Sequence, residues 1–86
     1  MNVSNEINSV RVQICGEEHP IKGKASADYI RRLAHMIDEQ MKDVLDKNPN
    51  LPRHRAAILV ALNLADELEK LREEHKELLN LIEQVQ

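Results

Sequence analysis

Two periods divide the chain. From Asn8 to Cys15 apolar and polar residues alternate, with Val10, Val12 and Ile14 on one face and Arg11, Gln13 and Cys15 on the other. A period of two predicts a half-buried strand. Gly16-Glu17-Glu18 is a turn signal, and His19-Pro20-Ile21-Lys22 predicts a short second strand whose proline suits a sheet edge. Two such strands form a hairpin, which is marginal until something covers it. From Ser26 onward the spacing changes to three and four. Ile30, Leu33, Ala34, Ile37, Met41, Val44 and Leu45 make one helical stripe, expected to cover the Val10/Val12/Ile14 face. Ser26 is a suitable N-cap, and Asp28 in the first turn opposes the helix dipole. Asp28, Asp38 and Asp43 stand four residues before Arg32, Lys42 and Lys47, an order that favours ion pairing along the helix. Asn48-Pro49-Asn50-Leu51-Pro52 ends this helix, because a residue before proline resists the α conformation. Asn50 is expected to cap the next helix, with Pro52 in its first turn.

The stretch from Pro52 to Gln86 has no glycine and no further proline, and reads as one helix. Between Ala56 and Ala65 nearly every residue is apolar, so this half is expected to be buried on all sides. Beyond it the pattern narrows to a heptad seam, with Ala61, Leu68, His75 and Ile82 at a and Leu64, Leu71, Leu78 and Val85 at d. In a parallel pair Glu67 at g would face Arg72 at e of the other helix. Leu79 at e and Leu81 at g widen the stripe and hint at more than two helices. A rod of this length, about 50 Å at ~1.5 Å per residue, cannot bury its flank on a head of some fifty residues. It is expected to bury it on copies of itself, through Ile58, Ala61, Leu62, Asn63, Leu64, Leu68, Leu71, His75, Leu78 and Ile82. Asn63, inside the apolar block, would then need a hydrogen-bond partner, and His75 among the leucines would be a polar register residue or a pH-sensitive one.

Composition supports this picture. The chain has 86 residues, one tyrosine and no Phe or Trp, which is thin material for a monomeric core. Net charge is −3, spread over both halves, so a basic polyanion-binding module is disfavoured and nucleic acid is not expected as a partner. One cysteine makes no internal disulfide and fits a reducing compartment. No segment approaches the ~18 apolar residues of a membrane span, and residues 1–7 read as polar and loose without a targeting signal. Asn2-Val3-Ser4 matches a glycosylation acceptor by chance. A soluble cytoplasmic protein is the default expectation.

Candidate chemistry is sparse. Cys15 has no base beside it in sequence. His19, His35, His54 and His75 lack metal-ligand spacing. Gly23-Lys24 falls short of a phosphate-binding loop, because Glu18 stands where that loop has glycine and Ala25 where it has Ser or Thr. No catalytic residue, cofactor or metal is expected.

The strand and turn Val10-Arg11-Val12-Gln13-Ile14-Cys15-Gly16, the helix from Asp28 to Leu45, and above all Ala61-Leu62-Asn63-Leu64-Ala65-Asp66-Glu67-Leu68 resemble the ZapA family of bacterial cell-division proteins. The resemblance covers nearly the whole chain. It implies association with the tubulin-like FtsZ, dimers that pair into homotetramers through their tails, and heads at both ends that cross-link FtsZ protofilaments at the mid-cell ring. It makes Lys22, Lys24, Arg31, Arg32, Lys42 and Lys47 candidates for docking on FtsZ. Some relatives carry a basic residue just after the strand-one glycine. This chain has Glu17 and Glu18 there, so a contact made by that cation is not carried over.

The expected fold is α+β: residues 1–51 form a small head of hairpin plus helix, and residues 52–86 a long helix forming an oligomeric coiled-coil tail. The expected function is a non-enzymatic cross-linker of FtsZ; the alternative is a small coiled-coil adaptor for another protein or nucleic acid.

Overall fold

The structure, a computed structural model, describes residues 6–85. The expectation of a loose N-terminal stretch and the Asn2-Val3-Ser4 acceptor lie, up to Asn5, outside the described residues. Four elements follow in order: β1 (Asn8–Ile14), β2 (Glu17–Gly23), α1 (Ala27–Lys47) and α2 (Arg53–Val85). The architecture is α+β, an antiparallel hairpin with α1 laid across one face and a long helix leading away from it.

The hairpin is tighter than its sequence suggests. Cys15 and Gly16 alone form the turn, both at positive φ, 51° and 77°. A two-residue loop of this hand matches the right-handed twist of the strands it joins. Glu17 and Glu18, expected in the turn, therefore belong to β2 and pair with Ile14 and Gln13. Pro20 lies opposite Arg11. Counting from the turn, that is a pair without ladder hydrogen bonds, so the missing N–H faces outward as an edge position requires.

Helix α1 begins and ends where local chemistry dictates. The Ser26 hydroxyl accepts the Tyr29 N–H at 3.2 Å. At the other end the Asn48 N–H reaches the carbonyls of Val44 and Leu45, and the Asn48 side chain donates again to Val44. Helix α2 starts from the Pro52 carbonyl, which accepts from Arg55 and Ala56 at 3.0 and 3.1 Å. Asn50, expected as its cap, sits two residues earlier in the connecting turn.

The stripe of α1 serves two surfaces. Ile30 packs with Val10 and Val12 under the hairpin, with Ala34 and Ile14 at the margin. Met41 packs with Ala56 and Val60 of α2, flanked by Ile37, Val44, Leu45 and Leu64. Leu33, read as part of the stripe, is 43% exposed. A sheet of two strands is too narrow to roof both flanks of the helix.

The turn is tied down by one carboxylate. Asp38 of α1 accepts the Cys15 N–H at 2.7 Å and pairs with Lys42 at 2.9 Å. It thus holds a non-glycine residue in a conformation that costs a β-carbon. The Cys15 N–H first, and then the Lys42 ammonium, hold the Asp38 carboxyl below its ordinary 3.8; the Asp38 carboxylate in turn raises Lys42 above its ordinary 10.5. A depressed carboxyl contributes stability that is complete above its unfolded pKa and disappears as pH falls through the folded one. The raised ammonium contributes below its unfolded pKa and loses that contribution as pH climbs through the folded one. Between roughly pH 5 and 9 both contributions stand. The Asp38→Ala variant is expected to melt a few degrees below wild type at pH 7, and the gap to close as pH drops beneath 3.8. Melting curves followed by circular dichroism at pH 7 and pH 2.5 check both points.

Candidate self-association surface

Helix α2 has 33 residues, and only Ala56 and Val60 are buried by the rest of the chain. At about 100° per residue, these two define the side that meets α1. Ile58 and Leu62 fall on the opposite side, 56% and 61% exposed. Leu51, Arg55, Ile58 and Leu59 line an apolar cleft along this side, where the helix leaves the connecting turn. Ala57 and Ala61, also exposed, lie between the two sides. The block expected to be buried all round is thus covered on one side by its own head.

Beyond Leu64 the seam continues roughly along the side that meets α1, but the head ends there and nothing covers it. Leu68, Leu71, Leu78 and Ile82 are all exposed, and His75 stands exposed between them. Leu78, Leu81, Ile82 and Val85 form a second apolar cleft near the end of the helix. Asn63 is exposed at position c. Along the outer face Lys70 pairs with Asp66 at 2.9 Å and Arg72 with Glu69 at 3.3 Å; these are exposed pairs that shape solubility more than stability. The two uncovered apolar sectors therefore lie on different sides of one rod: Ile58/Leu62 near the head, and the Leu68-to-Ile82 seam beyond it. Contiguous apolar surface on this scale makes both sectors candidate interfaces.

The head adds to the uncovered apolar area. A groove of about 440 Å³ is floored by Ile14, Ile37, Met41 and Ala57. Glu17 and Arg53 close one rim with an ion pair of 2.7 Å that ties β2 to the start of α2. Tyr29, Leu33 and Met36 continue the exposed apolar area along one flank of α1.

The cations singled out for docking do not form one patch. Lys22 and Lys24 lie at the open end of the hairpin, near the first turns of α1 that carry Arg31 and Arg32. Arg31 pairs with Asp28 at 3.3 Å, and the Arg32 guanidinium lies 5.3 Å from the Tyr29 ring centre. That arrangement replaces the expected Asp28–Arg32 pair with a neighbouring one. Lys42 and Lys47 lie about 15 Å or more further along α1, at ~1.5 Å per residue. Lys42 is engaged by Asp38 in bracing the turn, and Lys47 pairs with Asp43 at 3.1 Å. Histidine spacing alone missed one cluster: His35, Asp38 and Glu39 bring three ligand-type side chains together on α1. A cation there would compete with the Lys42 ammonium for Asp38, so the cluster offers little to a metal.

Comparison with known proteins agrees with this architecture. The family model "Cell division protein ZapA" matches residues 10–86. The cell division protein ZapA of Bacillus thuringiensis (strain Al Hakam) is 36% identical over 69 residues, covering 80% of this chain and 78% of that relative. The ZapA of Geobacillus sp. (strain WCH70) is 37% identical over 70 residues, covering 81% and 80%. Among solved structures, the ZapA mutant dimer from Geobacillus stearothermophilus superposes with a TM-score of 0.73 at 30% identity, covering 96% of each chain.

Because Leu62 points away from the head's own core, a charge there should leave the head folded and tax only an interface. A carboxylate buried without a partner costs several kcal/mol, so Leu62→Glu is expected to lower the assembly mass at micromolar concentration while helicity is retained. Light scattering coupled to size exclusion measures this; an unchanged mass would remove the Ile58/Leu62 side from any interface.

Proposed function

The chain belongs to the family of the cell division protein ZapA, and from that premise we propose that it is a non-enzymatic cross-linker of FtsZ protofilaments. The chain associates with itself, first as a dimer and then as a homotetramer. Its tails, residues 52–86, make the rod, and its heads, residues 1–51, stand at the ends of it. Each head binds FtsZ in the cytoplasm at the division site, and the assembly promotes and stabilises the mid-cell ring. The observation that supports this reading most directly is the pair of apolar sectors on different sides of α2. One sector suffices for a dimer; a second, facing elsewhere, gives dimers a surface by which to join.

Multivalency supplies the effect. Two weak heads on one stiff rod hold two filaments far better than either head alone, because the second contact forms at the high local concentration set by the first. The heads need no chemistry of their own. Docking through Lys22, Lys24, Arg31, Arg32, Lys42 and Lys47 would be modest in affinity and weaken with added salt. Lys42 and Lys47 serve such docking less readily than Arg31 and Arg32, since Lys42 also braces the turn and the two lie apart from the others.

Co-sedimentation with polymerised FtsZ, with electron microscopy of the pellets, tests this reading. The wild type is expected to pellet with filaments and to bundle them. Ile58→Glu is expected to pellet but not to bundle, since its heads are intact and its valency is reduced. Normal bundling by that variant would show that cross-linking does not depend on assembly through α2, and absence of wild-type protein from the pellet would reject FtsZ as the partner. Exchanging Arg31 and Arg32 together for Glu is expected to leave the assembly mass unchanged and weaken pelleting.

A further inference from the structure

The two edges of the hairpin are unlike each other. The ladder between β1 and β2 uses the main-chain groups of Asn8, Val10, Val12 and Ile14, as the two-residue turn and the placement of Pro20 opposite Arg11 require. The groups of Glu18, Pro20 and Lys22 face out along the β2 edge, where a proline without an N–H and two charged side chains discourage a further strand. The N–H and C=O groups of Ser9, Arg11 and Gln13 face out along the β1 edge. With only two strands in the sheet, none of them has a main-chain partner among the described residues. No proline interrupts that edge.

A groove runs along it. Arg11, Val12 and Gln13 from β1 and Arg31, Ala34 and His35 from α1 enclose about 230 Å³, and no residue of β2 takes part. The groove lies between the open edge and the helix that underlies the sheet, which is where a third strand would rest. Arg11 and Arg31 flank it, 75% and 60% exposed. Each has one exposed carboxylate partner, Glu18 for Arg11 and Asp28 for Arg31, and exchanging such a pair for another carboxylate costs little. Glu39 lies 3.9 Å from His35 at the far end, and Asp38 is already engaged by Lys42 and the Cys15 N–H. The groove is mixed in character, with Val12 and Ala34 among the polar and charged side chains that line it. The exposed apolar flank of α1, with Leu33 and Met36, faces the opposite way at about 100° per residue.

We propose that the β1 edge accepts an extended, acidic segment of the filament protein as a third strand, with its carboxylates on Arg11 and Arg31. The proposal rests on the reading of FtsZ as the partner and deepens it by naming the mode of docking. Main-chain pairing supplies the contact and the two guanidinium groups select the sequence, as in other strand-addition sites. A second copy of this chain is a poorer occupant. Its β1 would place another Arg11 beside these cations, and the apolar surface that two copies can share lies on α2 and on the other flank of α1.

Gln13→Pro tests it. The substitution removes one outward N–H and none from the β1–β2 ladder, and an edge strand tolerates it. The variant is expected to keep the wild-type assembly mass and melting curve yet bind FtsZ filaments about tenfold more weakly, the effect of one missing main-chain contact and the gap beside it. In the wild type, hydrogen–deuterium exchange over residues 8–14 is expected to slow when filaments are added. Wild-type pelleting with no such slowing overturns strand addition and leaves the FtsZ reading standing, as does full binding by Gln13→Pro. Failure of the wild type to pellet removes both. A loss of assembly mass in Gln13→Pro, with no slowing by filaments, assigns the edge to a second copy and overturns the proposal. Should Gln13→Pro fail to fold, the exchange measurement on the wild type decides alone.

Discussion

A shortage of core governs this molecule. Six apolar side chains are buried among the described residues, three under the hairpin and three between α1 and α2. Each restores about 1.5–3 kcal/mol at most when fully withdrawn from water, and Ala56 much less. Ordering the backbone costs roughly 1–2 kcal/mol per residue, and α2 alone holds 33 residues ordered with two of them buried. A helix in that position gains stability when its uncovered apolar sides find other surface. The scarcity of aromatic side chains is part of the same condition: the chain has no Phe or Trp, and its one tyrosine, Tyr29, is exposed. The uncovered sides of α2 are therefore the part of the chain with most to gain from contact with further copies, while the head keeps a small core of its own.

The polar contacts compensate where packing cannot. The hairpin touches α1 along one face and has no second sheet behind it, so its turn would be free to swing. Two links prevent this, the Asp38 carboxylate on the Cys15 N–H and the Glu17–Arg53 pair. The first is the stronger, because Asp38 is half-buried and gripped from two sides while Glu17 and Arg53 are both well exposed. Asp38 reads from the sequence as one of three acids placed before a base. Its partner Lys42 was visible at that level; the Cys15 N–H was not, because nothing local in the chain relates position 15 to position 38.

That contrast runs through the whole chain. Period and capping chemistry were enough to place β1, α1 and α2 nearly to the residue, since alternation at Val10/Val12/Ile14, the Ser26 cap and the Asn48–Pro52 stop are all local. Sequence and structure part where a neighbour decides. The turn was read one size too large because Glu17 and Glu18 look like loop residues, yet a Cys15-Gly16 pair at positive φ closes the hairpin without them. Leu33 fits the spacing of the stripe, yet a sheet of two strands leaves it in solvent. For the docking cations, charge and the family resemblance carry no information on neighbours: that Lys42 is held by Asp38, and that Arg11 stands on an open strand edge, appear only in three dimensions.

The same geometry gives one small head two unlike flanks, suited to two kinds of contact. Helix α1 separates them. On one flank lie Tyr29, Leu33 and Met36, continuous in character with the apolar groove over Ile37, Met41 and Ala57 and so with α2. On the other lie Arg31 and His35 beside the outward main-chain groups of β1. An apolar flank is satisfied by another apolar flank, and a second copy of the chain always brings one. A strand edge flanked by Arg11 and Arg31 is poorly satisfied by its own copy, which brings the same arginines already paired with Glu18 and Asp28. In the proposed arrangement identical chains are steered to the first flank, and the second is left open to an acidic partner. The width of the sheet enforces this division: a third intramolecular strand on the β1 side would have closed the open edge, and one on the β2 side would have covered Leu33.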